Sequence, residues 1–130
     1  MNDRKPNTMQ EEFDIVVKHL FKQGKPAKNL DGDCVYRAED GSKCAVGCRI
    51  PDETYDEHME GTEVGSLISY TVFSLPVEFD MYTELFRKLQ TLHDTCPTTE
   101  EGSFYLGCLS GSAMSIAKDM NLSNKAIPNV

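Results

Sequence analysis

The chain predicts a single α+β domain: an N-terminal helix, a two-stranded β-hairpin, a short acidic helix and two longer C-terminal helices. Three observations predict this class. Apolar residues recur at helical spacing near the N-terminus and over two long stretches of the second half. Asp40-Gly41, a strong hairpin signal, lies between two short runs of strand-forming residues. A length of 130 residues suits one domain and buries enough surface to need neither metal nor disulfide.

The first helix opens on Thr8-Met-Gln-Glu11, a capping box in which hydroxyl and carboxylate each satisfy an orphan amide. Phe13, Val16, Val17 and Leu20 form its apolar face. Gly24, with Pro26 behind it, ends it. A loop over 25–33 leads to two short strands, Cys34–Arg37 and Ser42–Ile50, joined by Ala-Glu-Asp-Gly at 38–41. Gly47 inside the second strand predicts a bulge or a close backbone approach. Pro51 stops the ladder. Asp52 caps a short acidic helix over 53–60. Residues 64–73 read equally as helix turn or buried strand. A helix over about 77–94 presents Phe79, Tyr82, Leu85, Phe86, Leu89, Leu92 and His93, and His93 is expected to pack and donate one hydrogen bond. A last helix over about 99–120 presents Leu106, Leu109, Ala113, Ile116, Ala117 and Met120. The domain is expected to span 1–122, with 123–130 a flexible tail.

The net charge of −8 is uneven. Residues 1–30 carry six basic and four acidic side chains, residues 31–63 three and ten, and residues 64–130 four and seven. This excess of carboxylates disfavours direct nucleic-acid and membrane contact and favours a basic partner. The polar N-terminus lacks an apolar leader, and five cysteines cannot all pair. Both predict a cytoplasmic protein with reduced thiols.

Candidate chemistry concentrates between residues 34 and 63. Cys34, Cys44, Cys48 and His58 offer four zinc-type ligands, but their spacing fits a knuckle poorly, and small buried hydrophobes are the simpler reading. A cysteine nucleophile needs a histidine base, and only His19, His58 and His93 exist. Asp52, Glu53, Asp56, Glu57, Glu60 and Glu63 are six carboxylates in twelve residues, without the central glycine of a calcium loop. They form a candidate partner-binding face, with Tyr55 and Met59 as apolar anchors. Arg37, Lys43 and Arg49 along the hairpin form an alternative phosphate-binding set. No phosphate-cradling glycine loop is present, and Lys118 alone is too little cation for the last helix to read DNA.

The string Cys34-x-Tyr-Arg, then Asp-Gly-x-Lys-Cys-Ala-Val-Gly-Cys-x-Ile-Pro-Asp-Glu-x-Tyr, then Met59-Glu60, with the later Leu89-Gln-x-x-His-Asp94, resembles a group of small uncharacterised bacteriophage and bacterial proteins. The resemblance covers roughly residues 12–94. It implies a compact, phage-encoded cytoplasmic protein that inhibits a host factor stoichiometrically, and it carries no named activity. The sequence as a whole therefore predicts no enzyme and no cofactor. It predicts an acidic interaction protein that binds the basic surface of a host defence or nucleic-acid-handling protein. A sequestering protein for a nucleotide signal is the alternative, a zinc-stabilised module the third reading, and self-association stays open.

Overall fold

A computed structural model describes residues 5–70 and 72–129. The first four residues of the expected domain, position 71 of the ambiguous stretch and the last residue of the expected tail lie outside the described residues.

Helix α1 runs Met9–Gln23. Its capping box forms as the sequence predicts: Thr8 Oγ1 accepts the Glu11 amide at 3.1 Å, and Glu11 Oε1 accepts the Thr8 amide at 2.8 Å. Gly24, left-handed at φ 75°, ends it by donating to the Leu20 carbonyl. Helix α2, Val64–Ser69, resolves the ambiguous stretch as a helix turn. The expected helix over 77–94 is two helices, α3 (Val77–Met81) and α4 (Thr83–Thr95). They part at Tyr82, whose hydroxyl reaches the Asn7 carbonyl at 2.8 Å. Phe79 and Phe86 pack edge to face across that break, with ring centroids 4.6 Å apart. Helix α5 spans Leu106–Asp119, later than the expected start at 99. Helix α4 is central and packs against α1, α2, α3 and α5. Among the described residues, no helix is long and apolar enough to cross a membrane.

The α+β expectation is overturned, because the protein is predominantly helical and its described residues form no sheet. The predicted hairpin shrinks to one antiparallel bridge, Arg37 with Lys43. A half-buried strand alternates inward and outward side chains, whereas Cys44, Ala45, Val46 and Gly47 are buried in succession. Val46 accordingly takes helical angles, and the chain coils through a 3₁₀ turn at Gly47–Arg49. Gly47 does make a close backbone approach: a Cβ there would stand 2.0 Å from the Tyr36 carbonyl oxygen.

The hairpin turn occurs three times among the described residues. Bridges join Lys28 to Cys34, Arg37 to Lys43 and Thr98 to Phe104. In each, the residue after the first bridge partner donates to the carbonyl before the second: Asn29 to Asp33 at 2.9 Å, Ala38 to Ser42 at 2.9 Å, Thr99 to Ser103 at 2.8 Å. Each places a glycine, Gly32, Gly41 or Gly102, at φ between 85° and 91°. This is a type I turn closed by a left-handed glycine, which L side chains occupy only with strain. The third copy displaces the start of α5.

The expected acidic helix is also absent. Residues 52–54 form a turn, and a 3₁₀ turn occupies only Glu57–Met59. The C-terminal segment packs back on α1: Ser123 and Gln10 exchange two hydrogen bonds at 2.7 and 3.0 Å, and Ile127 is buried.

Candidate functional site

Residues 24–63 lack strands, so their backbone amides and carbonyls need other partners. Helix side chains supply many of them. From α1, Gln23 accepts the Lys43 amide at 2.9 Å and donates to the Lys43 carbonyl, also at 2.9 Å, while His19 Nε2 bonds the same carbonyl at 2.8 Å. From α4, Gln90 accepts the Val46 amide at 3.0 Å and His93 Nε2 accepts the Ala27 amide at 2.9 Å.

The acidic segment takes part in the same stitching. Glu60 accepts the amides of Tyr36 at 2.8 Å and Arg37 at 3.1 Å, and the Tyr55 hydroxyl at 2.6 Å. Asp56 caps the 3₁₀ turn by accepting the His58 amide, a bond that holds its carboxyl below the usual range. Glu63 caps α2 and pairs with Arg87 at 3.3 Å, and α2 backbone amides hold its pKa down. Asp52 pairs with Arg37 at 2.7 Å and Lys43 at 3.6 Å. Among the described residues, only Glu53 and Glu57 of the six are exposed without an internal partner. Met59 lies in the core, fully buried, and cannot anchor a partner. Tyr55 is half-buried beneath the Arg37 guanidinium, 4.8 Å from its ring centre.

The alternative cation set does not converge. Arg37 and Lys43 share Asp52, while Arg49 turns away to fork onto Glu12 at 2.8 and 3.0 Å. Glu12 is buried on α1, and its hydrogen bonds raise the Arg49 pKa. Nothing in the local pattern around Glu12 flagged it, although it shares a helix face with Val16.

The proposed zinc ligands scatter. Cys44 is buried, Cys48 donates to the Ala45 carbonyl, and the imidazole of His58 is exposed beside Asp56. Burial pushes both the Cys44 and Cys48 thiols up to about 12. Cys34 instead meets His93 and Asp94, with one ligand-type atom from each lying within 4.8 Å of the others. The hydrogen bonds set the chemistry of this group. Because His93 Nε2 accepts an amide, its proton sits on Nδ1, which donates to Asp94 at 2.7 Å. A metal on Nδ1 would turn the Nε2 proton against the Ala27 amide, so the tautomer opposes ligation. Burial, and then the Asp94 carboxylate, raise the Cys34 thiol to about 11, the opposite of what a nucleophile needs. His93 also packs edge to face on Phe104.

Cys34, Asp94, Arg87 and Thr91 border a pocket of about 450 Å³ between residues 34–36, residues 60–64 and α4. Along the neighbouring sequence, charge runs one way. From Ile50 to Phe86 the chain holds Asp52, Glu53, Asp56, Glu57, Glu60, Glu63, Glu78, Asp80 and Glu84 without one lysine or arginine. The same stretch exposes Val72 at 78% and Tyr70, Val77 and Met81 at about half. Reading the acidic run only as far as Glu63 missed these apolar groups. No family model, curated protein or solved structure matches the chain.

Proposed function

We propose that this is a binding protein that docks the basic surface of another protein through residues 50–86. One observation carries the reading: an acidic stretch that holds no lysine or arginine of its own and also exposes Tyr70, Val72, Val77 and Met81. Carboxylates steer a cationic partner and set the salt dependence, while exposed apolar side chains supply the desolvated contact that charge alone lacks. Among the described residues, Glu53, Glu57 and Asp80 are the exposed carboxylates of this stretch whose side chains pair with no other group, and the apolar role assigned to Met59 passes to Val72 and Met81. A non-enzymatic role agrees with the raised Cys34 thiol and the engaged His93. The resemblance to small phage and bacterial proteins favours a host protein, bound stoichiometrically, as the partner.

The test compares the wild type with two variants. One is Glu53→Gln/Glu57→Gln/Asp80→Asn, the other Val72→Ser/Met81→Ser. A protein captured by the wild type and lost by both is purified, titrated at two ionic strengths and cross-linked. Binding that weakens with salt, with cross-links to 50–86, supports the reading. Equal capture by all three, or cross-links elsewhere, overturns it.

A further inference from the structure

We infer that the pocket between residues 34–36, 60–64 and α4 takes a cationic side chain, lysine or arginine, presented by the docked protein. The inference rests on the reading above that the partner is basic. At about 450 Å³ the pocket has the size of a small-ligand site. Its lining holds three carboxylates, Glu60, Glu63 and Asp94, and one guanidinium, Arg87.

These charges are not equally available. Glu60 is saturated by two backbone amides and the Tyr55 hydroxyl. Glu63 and Arg87 pair with each other. The Arg87 guanidinium lies over Gly65, where a Cβ would stand 2.0 Å from its Nη2, so the glycine opens that seat. Asp94 is different. Gln90 Nε2 at 3.0 Å and the His93 Nδ1 proton at 2.7 Å both donate to its Oδ1, and the Cys34 sulfur lies within 4.8 Å. None of the three is a lysine or arginine, and among the described residues neither type lies within ion-pair reach of Asp94. It remains 39% exposed at the pocket. A rigid carboxylate without a cation, in a recess beside an acidic surface, matches an alkylammonium or alkylguanidinium group.

The experiment is an amide NMR titration of the full chain with N-acetylarginine methylamide and with methylguanidinium, at low salt and without any partner. Binding on the order of millimolar is expected, with shifts confined to 34–36, 60–64 and 87–94. Asp94→Asn should weaken it roughly tenfold, the loss of one charged contact. That variant also disturbs Gln90 and His93, so Thr91→Lys is the second: it tethers an ammonium at the pocket mouth from an exposed helix position. It should abolish probe binding with the melting temperature unchanged. Shifts spread over the acidic surface, or probe binding intact in Thr91→Lys, overturn the inference. Glu53→Gln/Glu57→Gln/Asp80→Asn should lose the partner and keep the probe. No probe binding by a wild type that still binds its partner salt-dependently overturns the pocket alone. Probe binding with no partner that discriminates the surface variants assigns the pocket to a free organic cation and overturns the side-chain assignment.

Discussion

The Ala27 amide donates to Nε2 of His93 at 2.9 Å, joining two residues 66 positions apart. The bond does three things at once. It satisfies a buried amide in a segment without strands, it sets the imidazole tautomer, and it aims the Nδ1 proton at Asp94. His93→Ala would leave the amide unpaired and a cavity beneath Phe104. Destabilisation of about 3 kcal/mol is expected from those two costs, measured by urea unfolding. A loss near zero would mean that the bond does not hold the loop.

The acidic segment divides into carboxylates that build the fold and carboxylates that face outward. Glu60→Gln keeps the shape but turns an acceptor of three bonds into a group with one acceptor oxygen. It should cost about 1–3 kcal/mol. Glu53→Gln and Glu57→Gln should leave the unfolding midpoint within about 0.5 kcal/mol of the wild type. Three equal effects would contradict the division.

His19 makes stability depend on pH. Burial first, and then the nearby Lys43 charge, hold its pKa below the usual 6.5 in the folded state. The unfolded chain therefore takes up the proton first on acidification. The contribution is fully present above the unfolded pKa of 6.5 and is lost as pH falls below it. The melting temperature should drop more between about pH 7 and pH 5.5 in the wild type than in His19→Gln, which removes the titrating ring. Parallel curves would assign the pH dependence elsewhere.

The thiols should react in an order set by environment. Cys108 is exposed, whereas Cys34 is raised to about 11 and Cys44 and Cys48 to about 12. Brief alkylation near pH 8, read by peptide mass spectrometry, should label Cys108 first. Rapid labelling of Cys34 would revive it as a nucleophile.

What the sequence shows and what it hides follow from range. The Thr8–Glu11 box and the face through Phe13, Val16, Val17 and Leu20 are local, and α1 forms as they predict. The Asp40-Gly41 turn is local too, and it forms. The strands beside it do not, because the unbroken burial of Cys44 to Gly47 depends on distant partners: Gln90 of α4 accepts the Val46 amide, and the turn at Gly47–Arg49 packs against α1. Asp31-Gly32 and Glu101-Gly102 carry the same turn, but neither is set between strand-like runs, so the recurrence emerges from backbone geometry alone. In the candidate site the carboxylates of 52–63 are visible as a group. Their partners are not: Glu60 meets Tyr36 across 24 positions, and no periodicity encodes that distance. The pocket at Asp94 joins three segments and is legible only once they fold together.

Side chains of α1 and α4, together with Glu60, should hold the strandless segment 24–63 as firmly as a sheet would. Native-state hydrogen exchange tests it residue by residue. The amides of Ala27, Tyr36 and Val46 should exchange as slowly as those inside α1 and α4, and Gln90→Ala should selectively accelerate Val46. Exchange of these three amides at the rate of exposed loops would contradict it.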